Sequence, residues 1–414
     1  MIRIAMKVSI KGLLIGLVVV FSFLSIIFYA IVPNFMPFNS PSDVDYISNG
    51  EYAGCYLVSS IWGDIVIVDQ SGNIKWKSHE NYYFLHDSDI LPNGNILMAD
   101  TAKNRVIEVD IDDPSKILWS WDALNSTDIN WTKFSLDQGW TDLSFLEGQS
   151  SLISSWTHLN DVDLINGSKF GRNFDSILIS LNNFNLVIEV NYSVTKEIIW
   201  WYGQPSNLTI LNHQHNPDRY DNGNTVICDT GNDRIIEVNT TTKKVVWELK
   251  LEFPYGKFRF ARDCDDIGNN MRLITDSGNN RLLIYDLDSQ KFVKEIKSPW
   301  LANPYDADML NSGNIIVSNL FTDSILIIDY ETGLVIGMIG FPHKWVVPYC
   351  MIGTVITYQT LRLIKTVKTS NKRKFRKILD FQIYRRIVYI ILGILILYFF
   401  NAIINFLWFF TVRG

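Results

Sequence analysis

Three of the six histidines in this sequence of 414 residues stand at the start of similar segments. His86 opens HDSDILPNGNIL, His158 opens HLNDVD and His215 opens HNPDRYDNGNTV, while Arg262 and Tyr305 hold the same place in two further segments. Neutral imidazole can attack as a nucleophile and leave again, and a guanidinium binds anions that carry several oxygens. These residues therefore predict a site for a polyoxygen anion. A three-histidine zinc site is the rival, which the nearby Arg262 disfavours.

The shared position of these residues comes from counting along the chain. Fourteen residues separate His86 from Asp100 and His215 from Asp229, where a second turn is expected. In the third segment an insertion at 166–175 changes the spacing of 14 residues. The segment WTHLNDVD nevertheless places His158 at the start of the strand. The remaining histidines fall outside this position and are interpreted as surface or linker residues: His79, His213 and His343.

The segments belong to a repeat of six units. The units are 86–122, 158–203, 215–250, 262–296, 305–339 and a shorter copy from near Tyr52 to 78. Each has four short apolar runs separated by turn residues, which predicts a four-stranded antiparallel meander. Six such units predict an all-β fold, a six-bladed β-propeller in which the first strand of each blade lines a central channel. An open β-solenoid is the alternative, and the fixed number of four-stranded units favours the closed ring.

A tryptophan recurs near the end of four units: Trp76, Trp119, Trp200 and Trp247. We expect these side chains to pack between blades. A quinone cofactor stacked on tryptophan, as in a quinoprotein dehydrogenase, would need a calcium-binding carboxylate set that the sequence does not place. No cofactor and no metal is predicted.

Hydropathy predicts three membrane helices, one before the propeller in the sequence and two after it. Residues 12–31 and 387–410 are apolar runs long enough to span a bilayer. The segment 365–386 holds nine Lys/Arg and is expected in the cytoplasm, which requires a crossing at 345–364. The predicted organisation is a cytoplasmic stub and membrane helix (1–32), an extracytoplasmic propeller (33–344), a membrane helix (345–364), a basic cytoplasmic loop (365–386) and a membrane helix (387–410).

The central region is acidic and would repel phosphate, so no nucleic-acid partner is predicted. The same region contains every N-x-S/T sequon, at Asn125, Asn130, Asn166, Asn191, Asn207 and Asn239. These sequons favour an extracytoplasmic, glycosylated propeller on a multi-pass protein of the cell membrane, with the lipid bilayer as a partner. The four cysteines form no disulfide or metal pattern.

The segments HDSDILPNGNIL, WTHLNDVD, DSILISLNN, IIWWYG and HQHNPDRYDNGNTVICDTGNDR resemble the arylsulfotransferase family over about residues 50–340. Members of that family are six-bladed enzymes that move a sulfuryl group between phenols without a nucleotide donor. The resemblance implies an aryl sulfate donor and a phenolic or other hydroxyl acceptor. It also implies that His215 becomes transiently sulfated and that His158, Asn160 and His86 hold the sulfuryl oxygens.

One position departs from the family pattern. The family usually has an arginine in the segment that matches SLNN (180–183), where Leu181 and Asn182 stand here. We expect Arg262 to supply the missing cation from another blade, and Tyr305 to contact the substrate. The alternative is a non-catalytic extracytoplasmic propeller that binds a glycan, a peptide or a partner protein at its channel mouth.

Overall fold

The computed structural model describes residues 37–340, except for residues 63, 79–81, 83 and 148–155. Pro37–Gly340 forms one compact unit. The predicted segments 1–32, 345–364, 365–386 and 387–410 lie outside the described residues, as do His79 and His343. Within the described part of the chain, no helix has the length and apolar character needed to cross a bilayer.

The described residues form six four-stranded antiparallel sheets, each from strands consecutive in sequence. Blades one and two comprise β1 (Pro41–Tyr46), β2 (Tyr56–Ser60), β3 (Val66–Val68), β4 (Ile74–Lys77), β5 (Ser88–Ile90), β6 (Ile96–Asp100), β7 (Arg105–Val109) and β8 (Ile117–Asp122). Blades three and four comprise β9 (Leu159–Ile165), β10 (Ser176–Leu181), β11 (Leu186–Asn191), β12 (Ile198–Gly203), β13 (His215–Arg219), β14 (Asn224–Asp229), β15 (Arg234–Asn239) and β16 (Lys244–Lys250). Blades five and six comprise β17 (Ala261–Asp266), β18 (Met271–Asp276), β19 (Arg281–Asp286), β20 (Lys291–Lys297), β21 (Pro304–Met309), β22 (Asn314–Asn319), β23 (Ser324–Asp329) and β24 (Val335–Gly340). The predicted six-bladed propeller is confirmed.

Burial explains why the second strand of each blade is a nearly continuous apolar run. The strands β6 and β10 are buried along their whole length because neighbouring blades cover both of their faces. The outermost strands β16 and β20 have mostly exposed or half-buried residues. A continuous apolar run therefore marks the second strand of a blade, and a mixture of polar and apolar residues marks the outermost strand.

The recurrent tryptophans join each blade to the next. The indole N–H of Trp76 donates to the carbonyl of Ile111 at 2.9 Å, and that of Trp119 donates to Ser193 at 3.0 Å. Trp200 bonds to blade four in the same way at 2.8 Å, and the fourth tryptophan packs on a tyrosine of blade five. The prediction that these side chains pack between blades is confirmed.

Blade one begins earlier than the repeat predicts. Its first strand starts at Pro41, whereas the sequence comparison started this unit near Tyr52. The first hairpin turns at 47–55 and contains the pair Asn49-Gly50, as the turns of other units do. The turn signal of this blade was therefore present in the sequence, and the strand before it lies on the channel like its five counterparts.

The ring closes without exchange of a strand between the first and last blades. Strand β1 packs against β21 and β22, and the backbone N–H of Val44 donates to Asp306 Oδ2 at 3.3 Å. Phe38 and Ile339, at the two ends of the propeller, belong to one buried apolar cluster. Side-chain packing and single hydrogen bonds therefore hold the closing seam.

An insertion precedes blade three and carries the only α-helix of the described residues, α1 (Trp131–Asp137). Asn130 caps this helix by accepting the backbone N–H of Lys133 at 2.9 Å. The indole N–H of Trp131 donates to the carbonyl of Ala123. These contacts fix the segment against blades two and three, and the chain then enters β9 at the channel.

Candidate active site

The first strands of the six blades place one side chain each at a common level of the channel, which we call the inner ring. Its members line one small cavity: Ser42, His86, Asn160, His215, Arg262 and Tyr305. Four of the predicted residues, His86, His215, Arg262 and Tyr305, share this level as the counting implied.

A β-bulge in the first strand turns the inner-ring side chain towards the channel. In blade five, Ala261 and Asp263 pair with consecutive residues of β18, so Arg262 between them has no partner across the strands. The same irregularity isolates Ser42 in blade one and Asn160 in blade three. Because a bulge breaks the alternation of side chains, two consecutive residues can both face the channel.

His158 lies one level above the position that the sequence predicts. The residues two positions before the inner ring all have positive φ and form a second level, which we call the mouth ring: Ser40, Phe84, His158, His213, Phe260 and Asn303. His158, with φ of 46°, is a member of this mouth ring, and Asn160 occupies the inner-ring position of blade three. In blades two, four, five and six a fixed spacing of 14 residues to the second turn identifies the inner-ring residue. The insertion at 166–175 changes this spacing in blade three, so the spacing could not distinguish His158 from Asn160.

Hydrogen bonds fix the tautomer of His215. Its Nδ1 lies 3.0 Å from the hydroxyl of Thr230 and 3.2 Å from the carbonyl of His213. The Thr230 hydroxyl donates its own proton to the carbonyl of Ala261 at 2.7 Å, so both neighbours of Nδ1 act as acceptors. Nδ1 therefore carries the proton, and Nε2 keeps its lone pair.

In blade two, two blades before that of His215, a carbonyl and a threonine hydroxyl hold His86 in the same way. Its Nδ1 lies 3.1 Å from the carbonyl of Phe84 and 3.2 Å from the hydroxyl of Thr101. Thr101 in turn donates to the carbonyl of Leu159 at 2.5 Å. Two blades thus present identical neutral imidazoles, each with Nε2 as its free nitrogen.

The imidazoles are close together and uncharged. The ring centroids of His86 and His158 are 4.7 Å apart, and the Tyr305 ring lies 6.1 Å from both His86 and His215. Burial, Arg262 and the other imidazoles hold the pKa of His215 well below its ordinary value. Burial and the neighbouring His213 lower the pKa of His158 to about 4. Neutral imidazole is the form that a nucleophile requires.

Arg262 supplies positive charge at the same level. Its guanidinium carbon lies 4.3 Å from the Tyr305 ring centre, and its Nη1 donates to Asn303 Oδ1 at 2.8 Å. Its Nε is buried and has no hydrogen-bond partner among the described residues. Burial lowers the pKa of this arginine. An unpaired, buried N–H on a cation is a ready donor to an anion.

Sequence reasoning missed His213 by treating it as a linker residue. Its Nδ1 lies 2.9 Å from Oδ1 of Asn182, in the segment (180–183) where the family pattern has an arginine. Asn182 and Asn160 both donate through Nδ2 to the carbonyl of Gln214, at 2.9 and 3.0 Å. Because the Asn182 amide donates to that carbonyl, its Oδ1 accepts the Nδ1 proton of His213. His213 is exposed at the mouth with Nε2 available.

Two levels of aspartate below the inner ring were also missed. The residue after each inner-ring position forms the upper acidic ring: Asp43, Asp87, Asp161, Asn216, Asp263 and Asp306. Two residues further on lies the lower acidic ring: Asp45, Asp89, Asp163, Asp218, Asp265 and Asp308. Burial and neighbouring carboxylates raise the pKa of Asp263 to about 8 and that of Asp87 to about 7. The D-x-D pattern that opens five of the units was the sequence signal.

The described residues contain no cluster of three or more His, Cys, Asp or Glu side chains with the geometry of a metal site. The three imidazoles of His86, His158 and His215 therefore gain no support as a zinc site. The tryptophans that could have stacked on a quinone donate to the backbone of neighbouring blades.

The sequence model of the arylsulfotransferase (ASST) family matches residues 41–212. The resemblance to this family is confirmed. The matched range includes His86, His158, Asn160 and Asn182 and ends three residues before His215. The chain thus carries an arylsulfotransferase-like region within a propeller fold.

Comparison with curated proteins gave no match. A solved streptogramin B lyase is similar in structure, with a TM-score of 0.48, 11% identity and coverage of 74% of this chain and 84% of the lyase. Virginiamycin B lyase from Staphylococcus aureus has a TM-score of 0.47, 10% identity and coverage of 72% and 83%. A protein of unknown function from Bacteroides caccae has a TM-score of 0.46, 12% identity and coverage of 70% and 93%.

Proposed function

We propose that this propeller transfers a sulfuryl group from an aryl sulfate to a phenolic or other hydroxyl acceptor, through a sulfated His215. The family match supports the reaction class. The observation that carries the proposal is the tautomer of His215, whose Nδ1–H is held by Thr230 so that Nε2 faces the cavity beside Arg262. A neutral nucleophile next to a buried cation suits attack on an anionic donor.

In the first half-reaction, Nε2 of His215 attacks the sulfur of the donor. The N–S bond forms while the S–O(aryl) bond breaks, and the aryl oxygen leaves with the bonding electrons as phenolate. The imidazole keeps its Nδ1 proton and becomes an N-sulfoimidazolium. The Thr230 hydroxyl and the His213 carbonyl stabilise the positive charge that develops on Nδ1–H.

In the second half-reaction, the acceptor hydroxyl oxygen attacks the same sulfur and the N–S bond breaks. His215 regains its lone pair, and the acceptor leaves as a sulfate ester. We assign the hydroxyl proton to Nε2 of His213, an imidazole that is exposed in the mouth ring. His213 then gives the proton to the phenolate or to water, which balances the exchange.

Arg262 takes the place of the arginine that the family has near Asn182. Transfer spreads negative charge over three sulfuryl oxygens, and a guanidinium meets two of them with parallel N–H donors. The free Nε of Arg262 supports this role. His86 lines the same cavity, and the His158 ring in the mouth ring lies 4.7 Å from the His86 ring. We assign both to the remaining oxygens; His86 must first take up a proton at Nε2, because its Nδ1–H is already bound.

We also propose that the protein is a multi-pass membrane protein with the propeller outside the cytoplasm. The support is the apolar runs at 12–31, 345–364 and 387–410 and the basic segment 365–386. The sequons at the propeller surface make glycosylation part of the same proposal. Asn125 and Asn130 are exposed, as an acceptor asparagine must be.

The decisive experiment combines turnover with trapping of the intermediate. Purified protein is mixed with a chromogenic aryl sulfate and excess phenol, and a sample quenched without acceptor is digested for mass spectrometry. We expect phenol release and a sulfuryl adduct on the peptide that contains His215. His215→Ala should lose both, whereas His213→Ala should still form the adduct. Absence of exchange and of adduct in the parent protein would favour the non-catalytic propeller.

A further inference from the structure

The upper acidic ring connects each blade to the next along the channel. Asp43 Oδ2 accepts the backbone N–H of Ser88 in the following blade at 3.2 Å, and Asp87 Oδ2 accepts that of Val162 at 2.6 Å. The same bond recurs between blades five and six, at 3.1 Å, and between blades six and one, at 3.3 Å. Most carboxylates of this ring therefore have a structural partner.

The pattern fails between blades three and four because the expected donor is a proline. Pro217 occupies the position of Ser88 and Val162 and has no backbone N–H. Asp161 is only 7% exposed, and its Oδ2 has no hydrogen-bond partner among the described residues. A buried carboxylate oxygen without a partner is costly, so this junction lacks a positive or N–H group that its counterparts have.

A second oxygen at the same junction is also unpartnered. Asn160 is 4% exposed and donates through Nδ2 to the carbonyl of Gln214, which fixes the orientation of its amide. Its Oδ1 then points away from that carbonyl and has no partner within the described part of the chain. Because of the bulge, Asn160 and the following Asp161 line one cavity of about 30 Å³, about the space of one water or one ion.

We propose that this junction binds one hard divalent cation, with Asn160 Oδ1 and Asp161 Oδ2 as protein ligands. Amide and carboxylate oxygens are the donors that Ca²⁺ and Mg²⁺ prefer, with water completing the coordination. Asp163, two residues along β9, has a further unpartnered oxygen, Oδ2. Asp161 and Asp163 lie on the two acidic levels below the imidazoles, whereas Arg262, the permanent cation among the residues lining the cavity, lies on the inner ring. Its charge therefore opposes a cation among the imidazoles more than one held by Asp161 and Asp163. The cation would join β9 to β13 where Pro217 prevents the usual hydrogen bond.

The test is metal binding by the full-length protein after chelation and removal of the chelator. Calorimetric titration with CaCl₂ and, separately, MgCl₂ should show saturable binding of one ion per chain. Asp161→Asn should weaken this binding at least tenfold, and Pro217→Ala should weaken it by supplying the missing N–H to Asp161. Asp43→Asn, whose oxygen can still accept from Ser88, is the matched control: it removes the same charge from the ring without removing a ligand and should weaken binding much less than Asp161→Asn.

Thermal unfolding with and without each ion checks that the variants are folded and gives an independent reading. The ion should raise the unfolding temperature of the parent and of Asp43→Asn but not of Asp161→Asn. Absence of binding in the parent overturns the proposal. Equal affinity in the parent, Asp161→Asn and Pro217→Ala overturns it as well, because the ion would then lie elsewhere. Neither reading depends on sulfuryl transfer.

Discussion

The Thr230 hydroxyl accepts the Nδ1 proton of His215 while donating its own proton to the next blade. Thr230→Val removes the acceptor and keeps the shape, so the tautomer with a free Nε2 loses much of its advantage. We expect turnover to fall by about 10²-fold, the lower end of what a positioned acid–base group contributes. Thr230→Ser should restore most of it.

Thr101→Val is the matched control for this change. It alters His86 in the same way and leaves His215 untouched. If His215 is the nucleophile, Thr230→Val should slow adduct formation much more than Thr101→Val, which disturbs only a residue assigned to the sulfuryl oxygens. Equal effects of the two variants on adduct formation would contradict the assignment of the nucleophile.

Arg262 is expected to act in transfer through paired N–H donors. Arg262→Lys should lower turnover by about 10²- to 10³-fold, because an ammonium offers a point charge. Placing arginine at Asn182 in an Arg262→Ala background should restore part of the rate, since position 182 lies next to His213 at the mouth. Transfer by Arg262→Ala at the parent rate would remove this arginine from the mechanism.

His213→Ala should separate the two half-reactions. The first one needs no base, so one equivalent of phenol should appear in a rapid burst. Steady turnover should then be slower by about 10²-fold, because the acceptor proton has no positioned base. Rapid-quench kinetics with a chromogenic donor measures both phases. A burst that disappears together with turnover would place His213 in the first step instead.

The stability of the propeller should fall as the pH rises from 6.5 to 8.5. Burial raises the pKa of Asp263 to about 8, so the folded chain holds a proton that the unfolded chain has lost. Stability therefore decreases until the pH passes the folded-state pKa, by on the order of 1–2 kcal/mol. Histidines with a lowered pKa, such as His158, act in the opposite sense: they are neutral in the folded chain and about half protonated in the unfolded chain at pH 6.5, so each opposes the decrease by about 0.4 kcal/mol.

Urea unfolding in the presence of EDTA at pH 6.5 and 8.5 measures this change. Asp263→Asn should make the dependence shallower, leaving the part due to Asp87, whereas Glu51→Gln, at an exposed surface position, should leave it unchanged. A flat profile in the parent protein would mean that the channel carboxylates ionise without cost.

The membrane arrangement predicts the accessibility of single cysteines. A cysteine at Asn125, an exposed propeller position, should react with an impermeant maleimide on intact cells, and a cysteine at Lys372 should react only after lysis. The parent protein gives the background from its own cysteines. The opposite pattern would invert the proposed topology.

The repeat predicted most of the fold and four members of the inner ring, because His86, His215, Arg262 and Tyr305 keep a constant distance to a turn. It could not distinguish His158 from Asn160, since an insertion follows that strand and both residue types suit the site. Only the bulge and the positive φ of His158 decide between them.

Other parts of the site depend on contacts between blades, which a repeat within one blade does not contain. His213 gains its place from Asn182 of the preceding blade, 31 residues away. In other blades, the backbone N–H at the position of Pro217 donates to an aspartate of the preceding blade. Only this comparison between blades shows that Pro217 leaves Asp161 without a donor.

The contact between the two ends of the propeller has a consequence for its connectivity. A Cβ added at Gly340 would come within 2.9 Å of the Phe38 ring, so the chain leaves the domain beside the point where it enters. With each blade built from a contiguous segment, a short linker could join these ends and new termini could be opened in an exposed turn elsewhere. A chain that begins at a different blade should therefore still fold into the same ring.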